Sequence, residues 1–309
     1  MKNKSVKVFA PASVANMGAG FDVMGMALDG VGDVLEMSAE EGDGLVIENH
    51  SGVDLPADIE KNVITPVVRS FMKELGKKAM IHIKVVSKIL PGSGIGSSAA
   101  SSSAAAWGLN ELFDRPFSEE KLVEFAMEGE ALLSGTRHAD NVAPALMGGV
   151  VFMRGYEPLD MVRLPVPENF WCSVVHPHIT VKTAEARAVL PADIPLRTAV
   201  KQWGNVGGLV AGFALKDMGL IARSMVDVVV EPHRKCFIPS YDSLKEKLAE
   251  AGSLASNISG SGPSVFAVSD CEEKARVLAR VMKEHFDALG VENDVYVSHV
   301  LPVGARTLE

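Results

Sequence analysis

The sequence predicts an α+β protein of two domains, and three observations carry that reading. A chain of 309 residues that is 47% hydrophobic and 22% charged can bury a sizeable core, and its length favours two domains over one. Apolar stretches of strand period and of helical period are interspersed along its length. The stretch from Arg154 to Glu168 contains Pro158, Pro165 and Pro167 and marks the expected crossing, with domains at 1–155 and 156–309.

The first domain is organised around Pro91-Gly92-Ser93-Gly94-Ile95-Gly96-Ser97-Ser98-Ala99-Ala100-Ser101. Before it, Met80 to Ile89 alternates, with Ile81, Ile83 and Val85 on one side and His82 and Lys84 on the other, which predicts a strand buried on one face. After it, Ser97 to Leu112 reads as a helix with a small-residue face. A strand, a glycine loop and a helix start form an anion site, because backbone N–H groups converge there and the helix end adds partial positive charge. A Walker loop is excluded, since no lysine follows Gly96. Gly94-x-Gly96-x-x-Ala99 matches the dinucleotide fingerprint, and Asp114 lies 20 residues beyond Gly94. That acid should end a second parallel strand, whereas Asp114 follows the helix directly and leads into a turn. Hydrophobic segments on both sides argue against a flexible linker.

Taken in order, Val6 to Ala10 is a short strand entering a loop, Pro11 to Asp22, whose Asn16 and Asp22 are either site residues or local caps. Val34 to Ser38 and Leu45 to Asn49 are further strands, and Asn62 opens or caps a helix ending near Leu75. Ser118 to Leu133 is helical, with Ser118 as N-cap and Leu122, Phe125, Ala126, Gly129, Leu132 and Leu133 on its apolar face. Glu130 falls on the border of that face, where a carboxylate needs a cation, a hydrogen-bond partner or a metal. His138, Asp140 and Asn141 follow within four residues, but no second cluster completes a metal site. Beyond the crossing come strands at Trp171 to Val175, Ser264 to Val268 and Val295 to Leu301. Helices are expected at Thr180 to Leu190, Arg197 to Lys216, Gly219 to Val230, Tyr241 to Ala251 and Glu272 to Leu289. His176-Pro177-His178 has metal-like spacing but reads first as a loop cap.

Composition narrows the function. A formal net charge of −9 with no Lys/Arg cluster argues against nucleic acid. Three widely spaced cysteines, Cys172, Cys236 and Cys271, indicate neither a disulfide framework nor a zinc cluster, and a cytoplasmic setting is expected. Asn16 and Asp22 interrupt any signal-peptide pattern, and the longest apolar run, Ala143 to Met153, is 11 residues, too short to span a bilayer. A homodimer is compatible with the sequence.

The glycine loop Pro91-x-x-Gly94-x-Gly96-Ser97-Ser98-Ala99 resembles the ATP-phosphate loop of the GHMP kinases. Pro11 to Asp22 resembles the family's first motif, and Asn257-Ile258-Ser259-Gly260-Ser261-Gly262-Pro263-Ser264 its third. Gly20-Phe21-Asp22, the segment His138 to Ala145, Thr183 to Arg187 and Glu231 to Arg234 are similar to the branch that phosphorylates homoserine. The resemblance runs nearly end to end. It implies a ribosomal-protein-S5-like N-terminal domain with a left-handed βαβ phosphate loop and a ferredoxin-like C-terminal domain. It also implies ATP-dependent phosphorylation of the side-chain hydroxyl of L-homoserine to O-phospho-L-homoserine, on the route to threonine, with Mg²⁺ as cofactor. ATP would then meet Asn62, the loop from Pro91 to Ser101, Gly260 and Ser261, and Mg²⁺ would meet Ser98 and Glu130. Asn16, Asp22, His138, Asn141, Thr183, Arg187 and Arg234 would take the substrate: the arginines its carboxylate, Asp22, with Asn16, its ammonium. Asp140 takes the place of the catalytic aspartate of mevalonate kinases, but adjacent residues at a helix start diverge, so only one of Asp140 and Asn141 is expected to face the hydroxyl. The expectation leans to Asn141, with no dedicated base and with His138 and Asp140 as supports. A different GHMP kinase, such as a mevalonate kinase, and a non-catalytic sensor on the same scaffold are the rival readings.

Overall fold

The computed structural model describes residues 4–181 and 183–309. Strands β1 (Lys4–Ala15) and β2 (Met24–Glu40) pair antiparallel as the spine of a seven-stranded sheet. Strands β3 (Gly44–Asn49) and β4 (Met80–Ser87) lie parallel, and helix α1 (Ile64–Leu75) supplies the crossover that parallel strands need. Helices α2 (Ser97–Leu112), α3 (Glu119–Ser134) and α4 (Val142–Met147) follow. The expected N-cap of α3 is in place, with Ser118 Oγ accepting from the Lys121 N–H. A hairpin of β5 (Val150–Tyr156) and β6 (Leu159–Leu164) then pairs with the start of β2.

The second sheet holds β7 (Trp171–Pro177), β8 (Ala255–Ile258), β9 (Val265–Ser269) and β10 (Asn293–His299) in the order β10-β7-β9-β8, with every pairing antiparallel. Helices α5 (Thr183–Ala188), α6 (Leu196–Leu215), α7 (Met218–Ser224), α8 (Glu231–Arg234) and α9 (Tyr241–Glu250) lie between β7 and β8 in the chain. Helix α10 (Glu272–Ala288) joins β9 to β10. That order and connectivity are ferredoxin-like. The chain finally returns to the first sheet, where β11 (Arg306–Leu308) pairs with β1.

Helix α2 is buried along most of its length, which accounts for its Ser/Ala composition. A Cβ added at Gly129 of α3 would lie 2.1 Å from Ser102 Oγ of α2, and one at Gly108 would lie 2.2 Å from Met37 Sδ. Larger side chains would push this helix off the sheet and its neighbours.

Four expectations need correcting. Strand β1 does not stop at Ala10; it runs through Pro11, and a register shift between Pro11 and Ala12 absorbs the missing N–H. Leu132 and Leu133 are 42% and 64% exposed, because they fall in the last turn of α3, where the helix ends. The helix at 219–230 stops at Ser224, since the Asp227 carboxylate accepts the N–H groups of Val229, Val230 and Glu231 and turns the chain into α8. The proline-rich stretch 154–168 holds most of the β5–β6 hairpin of the first sheet. Among the described residues, no helix is long and apolar enough to cross a membrane.

Candidate active site

The glycine loop leaves β4 and enters α2 in a strained, close-packed form. Gly92, Gly94 and Gly96 have φ of 77°, 78° and 72°, values that L side chains rarely adopt. A Cβ on Gly94 would meet the Gly262 carbonyl oxygen at 2.6 Å, and one on Gly96 would meet Ser13 Oγ at 2.1 Å. Gly96 caps α2 without any side-chain hydrogen bond, so the first-turn N–H groups stay available to an anion.

A buried ion pair braces the loop from below. Lys88 Nζ lies 2.9 Å from Asp33 Oδ2, with the two side chains 5% and 0% exposed. Lys88 also donates to the carbonyl and hydroxyl oxygens of Ser97, and Asp33 accepts from the Ile89 N–H and from Ser101 Oγ. Ser97 Oγ donates in turn to the Ile89 carbonyl at 2.8 Å. The Ser97 hydroxyl is thus engaged inside the protein, leaving Ser98 as the nearer hydroxyl for a ligand. Lys88 and Asp33 are not among the residues expected from sequence. Their only signal there is a lone charge beside the loop and another in an apolar strand.

The third glycine segment clamps the loop from the other sheet. Ser259 Oγ donates to the Gly94 carbonyl at 2.7 Å, and Ser264 Oγ donates to the Ser93 carbonyl. The Gly260 carbonyl accepts from Asn16 Nδ2 and from Arg234 Nη1, both at 2.9 Å.

One cleft of about 310 Å³ gathers most of the expected site residues, including the exposed part of the loop, Glu130, Asp140, Asn141, Arg187 and Arg234. Ser93, Ile95, Ala99 and Ala100 are buried and do not line it, so any contact they make there is through the backbone. At one end Leu55, Val63, Val85 and Leu133 make an apolar wall beside Asn62. The Asn62 side chain is also a cap: its Oδ1 accepts the Ile64 N–H at 3.0 Å. Asn16 spends both ends of its amide inside the protein, since its Oδ1 accepts the Asp22 N–H at 3.2 Å. The side chain of Thr183 lies outside the described part of the structure.

At the other end, Arg187 Nη2 donates to Asp22 Oδ1 and Oδ2 at 3.0 and 3.1 Å, joining residues 165 apart in the chain. The same nitrogen lies 2.9 Å from His138 Nε2. A guanidinium only donates, so Nε2 accepts and the imidazole is neutral. Burial, reinforced by the Arg187 charge, holds the His138 pKa below its usual value, although Asp22 pulls the other way. The guanidiniums of Arg187 and Arg234 lie 5.5 and 5.1 Å from the Phe21 ring centroid, so this ring holds both cations side by side. Phe21 is a further residue whose role sequence reasoning misses. Arg234 is 3% exposed and is fixed by the Ala186 and Gly260 carbonyls.

Asp140 and Asn141 both line the cleft. They precede α4 and are not inside it, so helical spacing does not separate them. Asn141 Oδ1 accepts from Ser13 Oγ at 2.9 Å, which fixes the orientation of its amide. Asp140 is 6% exposed. Burial first, then the Asp22 and Glu130 charges, push its pKa up to about 7. Half-buried Glu130 also has a raised pKa, driven by burial and opposed by a hydrogen bond to Ser98 and the Lys88 charge. A carboxylate and a hydroxyl beside an anion loop are hard oxygen donors and fit Mg²⁺.

Residues 62–149 match the GHMP kinases N-terminal domain, and residues 209–288 match the GHMP kinases C-terminal domain. The homoserine kinase of Chlorobium phaeovibrioides is 44% identical, over 99% of this chain and 100% of that one. The homoserine kinase of Chlorobaculum tepidum is 42% identical, over 99% and 98%. The crystal structure of homoserine kinase from Cytophaga hutchinsonii superposes with a TM-score of 0.95 at 46% identity, covering 100% of this chain and 98% of that one. Mevalonate kinase of L. major, at 16% identity and a TM-score of 0.71 over 96% and 97% of the two chains, shares the fold. By full-length identity and by both of its domain matches, the chain belongs to the homoserine kinase family of GHMP kinases.

Proposed function

We propose that the cleft transfers the γ-phosphoryl group of ATP to the side-chain hydroxyl of L-homoserine. The observation that carries this reading is the charge layout opposite the phosphate loop, where Asp22, Arg187 and Arg234 share one wall of the cleft. An amino acid is a zwitterion and needs a cation for its carboxylate and an anion for its ammonium. Without substrate, Arg187 and Asp22 neutralise one another. Substrate entering between them exchanges that internal pair for two external ones, with Arg234 as the second cation. Mevalonate has a carboxylate but no ammonium, and galactose has neither group, so Asp22 would lack a partner with either.

ATP would lie with its adenine against the apolar wall near Asn62 and its phosphates on the α2 N-terminus and Ser98. Glu130 and Ser98 would hold Mg²⁺, which when bound neutralises phosphate charge. Phosphoryl transfer has a loose transition state, so positioning and charge neutralisation carry most of the rate. Asn141 presents its amide N–H to the hydroxyl oxygen and orients it toward the phosphate. Asp140 is a poor candidate for the base. Burial first, then the Asp22 and Glu130 charges, already push it up to about 7, and the net negative charge of the nucleotide pushes in the same direction. Asp140 supports its neighbours, and the proton leaves to phosphate or water.

The test is direct product identification. With ATP, Mg²⁺ and L-homoserine, phosphorus NMR should show one new phosphomonoester coupled to the side-chain methylene, and Glu130→Gln should abolish it. ADP formation with mevalonate and none with homoserine would reassign the substrate.

A further inference from the structure

Away from the cleft, two histidines and two carboxylates form a block at one end of the second sheet. His176 lies near the end of β7 and His178 just beyond it, with their ring centroids 5.3 Å apart. Asp294 of β10 stands directly opposite His176 in the antiparallel register. The backbone N–H of His178 bonds the Glu292 carbonyl at 2.7 Å, which sets Glu292 opposite His178. Ligand atoms of His176, His178 and Asp294 all lie within 4.8 Å of one another. His178 Nε2 is 2.9 Å from Asp294 Oδ2, and its Nδ1 is 3.5 Å from Glu292 Oε2. None of the four lines the phosphate-loop cleft.

We propose that His176, His178 and Asp294, with Glu292 as fourth donor, form a binding site for a zinc-class divalent ion. Donors around a tetrahedral ion at 2.0–2.2 Å stand roughly 3.4 Å apart. The observed spacing closes to that value by side-chain rotation, which is open to His178 and Asp294 at 35% and 44% exposure. His176 is the fixed member: it is 5% exposed, and its Nδ1 is buried with no hydrogen-bond partner among the described residues. A simple surface ion pair accounts for His178 between its two carboxylates but gives no reason for a buried histidine beside them. Imidazole donors select Zn²⁺, Co²⁺ or Ni²⁺ over Mg²⁺, which prefers an all-oxygen shell, so the kinase cofactor does not compete here. Two imidazoles and two carboxylates complete four-coordination, the closed shell of a structural site without an open position for chemistry. The ion would tie the end of β7 to edge strand β10, at the root of the connection that carries Arg187.

The full-length protein, stripped with EDTA and free of nucleotide, is titrated with Zn²⁺ and separately with Co²⁺. Wild type should bind one equivalent of Zn²⁺ unaffected by millimolar Mg²⁺, and Co²⁺ should give a visible absorption band that Zn²⁺ removes. Asp294→Asn alone should weaken Zn²⁺ binding at least tenfold, and His178→Gln/Asp294→Asn should abolish the cobalt band while phosphorylation with Mg²⁺ and ATP is retained. Circular dichroism of the variants checks that the fold is kept. Failure of wild type to bind Zn²⁺ overturns the assignment. So does equal binding by the double variant, or loss of the equivalent in Glu130→Gln, which would place the ion in the cleft.

Discussion

Replacing Asp140 with asparagine separates the structural cost of this carboxyl from any role in chemistry. Its folded pKa is raised to about 7 against an ordinary 3.8. The native state therefore holds this proton more tightly than the unfolded chain does. The stability that goes with the proton is fully present below about pH 4 and is lost as pH rises through about 7. At about 1.4 kcal/mol per unit, wild type at pH 8.5 carries a penalty of up to about 4 kcal/mol for a buried carboxylate among Asp22 and Glu130. A neutral amide in its place would carry none, so Asp140→Asn should match wild type near pH 4 and be more stable by 2–4 kcal/mol, roughly, at pH 8.5. Urea unfolding at the two pH values measures the difference, and single-turnover phosphorylation is followed in the same preparations. The catalytic loss should stay well below the roughly 10⁴-fold upper range for removing a general base. A stability difference independent of pH would refute the electrostatic account. A 10⁴-fold loss, with Asn141→Ala mild, would make Asp140 the base.

Other outcomes follow from the same geometry. Arg187→Ala removes a charge-assisted partner worth about 1.5–3 kcal/mol and should lower kcat/KM for homoserine by about 10- to 100-fold, with the KM for ATP nearly unchanged. Lys88→Met leaves Asp33 buried without its cation and should cost about 3–5 kcal/mol in urea unfolding, with weaker ATP binding in calorimetry. Gly94→Ala places a Cβ against the Gly262 carbonyl at positive φ, so its Tm should fall by several degrees along with ATP affinity. An unchanged Tm would show that the two glycine loops are not clamped together.

Much of the site is legible in the sequence because its residues sit in local patterns. The α2 boundaries, the Ser118 cap and the Glu130 position all follow from spacing within one helix. The arginines are legible only through the family resemblance; spacing alone reads Arg187 and Arg234 as surface charges. What escapes is non-local. Asp33 and Lys88 lie 55 residues apart, and neither shows in sequence that it will be buried against the other. Phe21 reads as one apolar residue in a loop until the fold brings two guanidiniums to its ring. Strand β1 reads too short because Pro11 signals a break, and only the pairing with β2 shows that a bulge absorbs it. The return of β11 to the first sheet depends on an end-to-end contact that no short window contains.

The central claim is that this cleft reads a zwitterion beside a phosphate loop. The measurement that tests it most directly is kcat/KM for L-homoserine against its des-amino analogue, at fixed ATP and Mg²⁺, in wild type and in Asp22→Asn. Wild type should prefer homoserine by about 10- to 100-fold, the worth of one charge-assisted contact, and Asp22→Asn should erase most of that preference. Equal use of both acceptors by wild type would contradict the assignment of Asp22 to the ammonium and, with it, the amino-acid reading of the site.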